Sequence, residues 1–171
     1  MEKEIVFVVD TSRSMGVNFV DYLRSFIGDI YCKYEEVSKR VICFNEEYEI
    51  FDGDDLGDFK IGGKTSLDKG LEGLYDCLSN SDDKERVIFF ISDFISDDYS
   101  ETENLKKLKG LKAFNDSCRY GICLGTDYDV INRYLSRFVN DIENIVSVYS
   151  SFYLRDFIES ILDEFVFGFN S

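Results

Sequence analysis

The sequence contains no histidine, no proline and no tryptophan. Without His there is no Ser-His-Asp or Cys-His catalytic arrangement, no His-ligated zinc and no near-neutral proton shuttle, so acid–base work would fall to carboxylates. Without Pro, the turns rest on Gly, Asn and Asp. The five cysteines, Cys32, Cys43, Cys77, Cys118 and Cys123, are odd in number, show no CxxC spacing and sit in apolar patterns. That predicts reduced thiols serving as small core residues, and a reducing compartment. Long apolar runs are lacking too. Met1-Glu2-Lys3-Glu4 leads into only five apolar residues, Ile5-Val6-Phe7-Val8-Val9, closed by Asp10. This fits neither a signal peptide nor a membrane span, and the expected location is cytoplasmic.

Positive charge is the other scarcity. Nineteen Lys and Arg against 34 Asp and Glu leave a net charge of −15. Such a surface repels a phosphate backbone and offers no basic stripe, which argues against nucleic acid or an anionic membrane as partner. Cationic groups, divalent metals or proteins bridged by a metal are the expected partners. The length of 171 residues predicts one domain over 1–171, and 44% hydrophobic residues supply an ordinary core without disulfides or a structural metal.

Apolar runs of strand length alternate with stretches of helical period, predicting an α/β sandwich with helices on both faces of a mostly parallel sheet. The first strand covers 5–9. A helix follows with Phe19, Val20, Leu23, Phe26, Ile27, Ile30, Tyr31 and Tyr34 on one side. Strands at 40–44 and 48–51 are too close for a crossover helix, so the second is expected antiparallel at the sheet edge. After an irregular acidic, Gly-rich stretch, Leu67, Leu71, Leu74, Tyr75 and Leu78 mark another helix. Val87-Ile88-Phe89-Phe90-Ile91 reads as a second central strand. Beyond it the pattern predicts a helix over 101–114, a strand over 118–124, a helix over 128–138, a strand over 145–149 and a last helix over 154–165.

Both central strands end in an aspartate: Val9-Asp10-Thr11-Ser12-Arg13-Ser14 and Ile91-Ser92-Asp93. In open α/β sheets ligands collect beyond the carboxyl ends of the strands, where the strand order reverses. If these two strands are neighbours there, Asp10 and Asp93 share a crevice with the hydroxyls of Ser12 and Ser14. Carboxylates and hydroxyls suit a hard divalent cation, Mg²⁺ or Mn²⁺ rather than Zn²⁺. Each piece also has a plain explanation: a strand-end Asp makes turns, and Ser12 or Ser14 can cap the next helix.

Asp10-x-Ser12-x-Ser14 at the end of a first buried strand resembles the metal-ion-dependent adhesion site of von Willebrand factor A domains. Gly62-Gly63-Lys64-Thr65-Ser66-Leu67 resembles the family's Gly-rich loop with its threonine ligand, and Asp93 its second aspartate. The order of elements is similar from end to end. The resemblance implies a Rossmann-like sandwich whose six-stranded sheet runs 3-2-1-4-5-6 with one antiparallel edge. It implies Mg²⁺ or Mn²⁺ bound directly by Ser12 and Ser14, and by Thr65 in the open, ligand-ready state, with Asp10 and Asp93 acting mainly through water. The cation would then capture an Asp or Glu of a partner protein, with no bond broken. Two residues depart from the pattern. Phe94 stands where Gly is common, either as an apolar contact or as the mark of a modified site. Arg13 stands between the serines, either to orient a partner carboxylate or as plain surface. Gly-x-Thr-x-Leu and Asp93-x-x-x-Asp97-Asp98 look most like bacterial intracellular members, including those linked to tellurite resistance.

The alternatives are a metal-dependent phosphoryl-transfer or hydrolytic enzyme and a metal-free scaffold. Against the enzyme, Ser12 stands where a phosphatase has its second Asp. The acidic segment 52–58 lacks the ligand spacing of a calcium loop and reads as a solvated loop. Asp97-Asp98 is expected to add negative potential near the crevice, and Asp82-Asp83 to lie at the far end. The closing run Phe165-Val166-Phe167-Gly168-Phe169 is read as the packed end of the last helix in preference to a docking peptide.

Overall fold

Along the first strand, β1 (Lys3–Asp10), successive side chains enter two different cores. Ile5, Phe7 and Val9 pack into one, with residues of the first and last helices. Val6 and Val8 pack into the other, beneath the remaining helices. A strand whose residues 5–9 are all fully buried must be covered on both faces. The computed structural model describes residues 1–125 and 128–168.

A 3₁₀ turn (Arg13–Met15) leads into α1 (Val17–Lys33), then β2 (Ser38–Phe44), β3 (Tyr48–Asp52), α2 (Leu67–Leu78), β4 (Glu85–Ser92), α3 (Glu103–Lys109) and α4 (Lys112–Asn115). The chain continues through β5 (Cys118–Leu124), α5 (Asp129–Ser136), β6 (Ile145–Val148) and α6 (Ser151–Phe167). The sheet order is β3-β2-β1-β4-β5-β6. All pairings are parallel except β2 with β3, where Phe44 faces Tyr48 across a three-residue turn. The α/β class, the 3-2-1-4-5-6 order and the antiparallel edge are those expected from the sequence. Because β1 and β4 are neighbours and the order reverses between them, their carboxyl ends open one crevice.

Three expectations need correction. The helix over 101–114 is two, because Gly110 ends α3 with its N–H turned to Lys107 O (3.1 Å) and the chain restarts at Leu111. Cys43, Cys77 and Cys123 are buried, but Cys32 and Cys118 are exposed. Cys32 lies off the buried stripe at the end of α1, and Cys118 opens β5 before the sheet is covered. The acidic loop is anchored rather than merely solvated: Leu56 is buried, and Arg24 donates to the carbonyls of Leu56 (2.6 Å) and Gly57 (3.2 Å). At the end of α6, Phe165 packs on the first core. Phe169, last of the closing run, lies outside the described residues. Among the described residues, no helix is long and apolar enough to cross a membrane.

Candidate metal centre

Asp10 is the last residue of β1 and is fully buried. Its Oδ1 accepts the Ser12 N–H (2.7 Å) and its Oδ2 accepts the Ser92 hydroxyl (2.6 Å). Burial pushes the Asp10 carboxyl up; hydrogen bonds from Ser12 and Ser92 pull it down, the nearby Asp93 charge pushes it up again, and the net direction is upward. A cation beside these two carboxylates would reverse that balance and favour the ionised form.

The bond from Ser12 N–H to Asp10 turns the chain sharply enough to bring Ser12 back over the end of β1. Ser12 is buried, and its Oγ lies 2.7 Å from Thr65 Oγ1 and 3.2 Å from Ser14 Oγ. Neither serine hydroxyl caps a helix: the residue before the 3₁₀ turn is Ser12, without a side-chain cap bond, and the residue before α1 is Gly16. Backbone bonds hold Thr65 in reach. Gly62 N–H donates to Thr11 O (3.1 Å), Arg13 N–H to Gly63 O (3.0 Å) and Ser66 N–H to Asn45 O (3.1 Å). The loop needs its glycines, since Gly63 has φ +72° and a Cβ there would come within 2.8 Å of Glu46 Oε2.

Asp93 follows β4 and is half-buried, its Oδ1 accepting the Ile95 N–H (3.1 Å). It lines one cavity together with Ser14, while Ser14, Thr65 and Arg13 line a second. Thus Ser12, Ser14 and Thr65 form one hydroxyl cluster, Asp10 lies directly behind it, and Asp93 borders the same crevice. Arg13 is exposed on the cavity wall, near Lys64 and Asp97. Asp82 and Asp83 lie before β4, at the opposite end of the sheet.

Two supporting residues carried no signal of their own in the sequence. Ser92 donates to Asp10 and also accepts the Phe94 N–H (2.8 Å). Thr11 is buried, its N–H (2.8 Å) and hydroxyl (3.2 Å) both on Phe44 O, which ties the end of β1 to β2. Phe94 turns the chain in the left-handed region (φ +53°), the one non-glycine residue to do so among the described residues. Its ring is fully buried against Phe90 and Tyr134. The departure from glycine therefore keeps the sharp turn and adds a core anchor.

The donor set fits a hard divalent ion. An octahedral ion with oxygens at about 2.0–2.1 Å has neighbouring oxygens about 2.9 Å apart, and the two hydroxyl separations bracket that value. Among the described residues no three His, Cys, Asp or Glu side chains gather to hold a metal by themselves.

No family model matches the sequence, and no curated protein matches it. Solved structures do. The von Willebrand factor domain of the type V pili tip protein of Porphyromonas gingivalis superposes with a TM-score of 0.73 at 11% identity, over 99% of this chain and 97% of that one. Proximal thread matrix protein 1 from the mussel byssus, in a structure described as having a zinc-occupied adhesion motif, gives 0.71 at 16% identity over 94% of this chain. The pilus adhesin SpaC of Lactobacillus rhamnosus GG, in its open conformation, gives 0.71 at 13% over 95%. The chain spans 44% of the mussel protein and 30% of the adhesin. At such identities the likeness is one of architecture: the chain has a von Willebrand factor A-like fold.

Proposed function

We propose that this chain is a metal-dependent protein-binding module rather than an enzyme, with Mg²⁺ or Mn²⁺ held at the crevice and a partner's Asp or Glu as its ligand. Ser12, Ser14 and Thr65 would hold the ion through their hydroxyls, and Asp10 and Asp93 through water. The observation that carries this reading is the meeting of Ser12, Ser14 and Thr65 oxygens, from two separate loops, in front of a buried carboxylate. Bound there, the cation supplies a Lewis-acidic site for an anion. Because its direct ligands are uncharged, it keeps enough charge to attract a carboxylate. Oxygen donors favour Mg²⁺ or Mn²⁺ over Zn²⁺. Arg13 and Lys64, which line the cavity, would steer the incoming carboxylate. A reducing, intracellular setting would keep the exposed thiols of Cys32 and Cys118 unoxidised.

Calorimetric titration with Mn²⁺ tests the site. Uptake near one ion per chain is expected, falling at least tenfold in Ser12→Ala and in Thr65→Ala while circular dichroism stays unchanged. Equal uptake by the variants, or none by the parent, would refute it.

A further inference from the structure

The crevice continues sideways. The cavity that holds Ser14 and Asp93, about 400 Å³, is also lined by Val148 and Tyr149 at the end of β6. The same two residues begin a second cavity of about 370 Å³, which runs down between β6 and α6 past Tyr153, Asp156, Phe157 and Ser160. From Tyr153 to Ser160 is about 10 Å along a helix, the reach of roughly three residues of extended chain. The two cavities share Val148 and Tyr149 as wall residues, and together they are treated as one trough beginning beside Ser14 and Asp93 of the candidate metal centre.

Three features of the trough point to an occupant. Tyr149 and Tyr153 on its walls are 73% and 66% exposed, in a chain that buries Phe7, Phe26, Phe44, Phe89, Phe90, Phe94, Phe114 and Phe138 almost completely. Next, β6 is the last strand of the sheet, with no strand beyond it among the described residues, so its outer main chain is open to pairing. Finally, the trough is lined by the carboxylates Asp93 and Asp156 and, among the described residues, by no Lys or Arg. Arg155, the nearest base on α6, is taken up by Asp29 (2.8 Å) and Glu159 (3.2 Å).

We infer that the trough receives an extended peptide segment of a partner protein. Its Asp or Glu sits at the metal centre, its apolar or aromatic side chains lie on Tyr149, Tyr153 and Phe157, and Lys or Arg flank them. Complementarity to a chain of charge −15 requires the basic flanks. The same charge disfavours a second copy of this chain as occupant. The inference rests on the proposed metal capture, and the test separates the two.

A displayed library of random decapeptides is selected on the immobilised, Mn²⁺-loaded chain. Enriched peptides are then titrated against the parent and against the double variant Tyr149→Ser/Tyr153→Ser. Both tyrosines are exposed, so folding and Mn²⁺ uptake are expected to persist. The expected peptides carry an acidic residue with an apolar or aromatic residue two or four positions away, plus Lys or Arg, and bind the double variant at least tenfold more weakly. Peptides that need only the acid and bind both proteins equally would overturn the trough and leave metal capture standing. Binding unaffected by EDTA would overturn metal capture itself. No enrichment, or Mn²⁺-dependent dimerisation lost in the double variant, would also overturn the peptide assignment.

Discussion

Phe94 sets two residue-scale effects against each other. Its left-handed backbone costs a non-glycine residue about 1–2 kcal/mol, while truncating a buried Phe to Ala costs about 3–5 kcal/mol. Phe94→Ala loses the packing and keeps the strain; Phe94→Gly loses the packing and relieves the strain. The glycine variant is therefore expected to be more stable than the alanine variant by about 1 kcal/mol, with both below the parent, as read by urea unfolding. Equal midpoints, or alanine above glycine, would contradict the strain argument. Ser92→Ala removes the donor to Asp10 Oδ2 and the acceptor for Phe94 N–H, both buried, and is expected to cost about 2 kcal/mol in the same assay. That Asp10, Ser12, Ser14, Thr65 and Asp93 come together was legible because they lie at or just after the ends of two central strands or in a Gly-rich loop. Ser92 and Thr11 were not, because their work is hydrogen bonding across neighbouring strands, which exists only once β1 lies between β2 and β4.

The elements meet at two ends, and the end opposite the crevice is fastened by charge. Glu4 of β1 is 2% exposed and accepts from Arg40 of β2 (2.8 and 3.1 Å) and from Arg86 of β4 (2.7 Å). Burial alone would push the Glu4 carboxyl up; hydrogen bonds and charge from Arg40 and Arg86 outweigh it and hold it below the ordinary 4.5. A carboxyl lowered in the folded state contributes stability above its unfolded value, and that contribution disappears as pH falls through the folded one. Unfolding free energy is thus expected to drop below about pH 4.5 in the parent. In Glu4→Gln that component of the slope should be missing and stability at pH 7 lower by about 3 kcal/mol, since the buried Arg86 and the partly buried Arg40 lose their counter-charge. Urea titrations between pH 3 and 7 would show both; a parent-like slope in Glu4→Gln would remove Glu4 as the cause. Glu4 gave no sign in the sequence beyond being a charge at the start of an apolar run. Strand and helix periods were legible, and α2 and β5 begin and end where their patterns do. The break at Gly110 was hidden because Leu105, Leu108 and Phe114 are buried on both sides of it and carry the apolar pattern across.

At the scale of the whole molecule, a two-core sandwich leaves most of its charge on the outside, and the excess is negative: the net charge is −15 and the accessible surface 8725 Å². The potential at the mouth of the crevice sums this field with the local pair Asp10 and Asp93, and a divalent ion feels it twice over. Screening length shrinks from about 30 Å at 0.01 M salt to about 10 Å at 0.1 M. Removing roughly one kT of potential per unit charge then weakens uptake of a 2+ ion on the order of fivefold to tenfold. An ion bound only by the folded state raises stability through mass action, by about 2.7 kcal/mol at one hundred times its Kd. For a chain of this size that is a rise in Tm of roughly 5–10 °C. Scanning calorimetry with Mn²⁺ against EDTA is therefore expected to show such a rise at 0.01 M NaCl and a smaller one at 0.1 M for the same Mn²⁺ concentration. Ser12→Ala should show none at either. A rise independent of salt would mean that the local oxygens alone hold the ion and the acidic surface plays no part in gathering it, and a rise that survives Ser12→Ala would place the ion elsewhere.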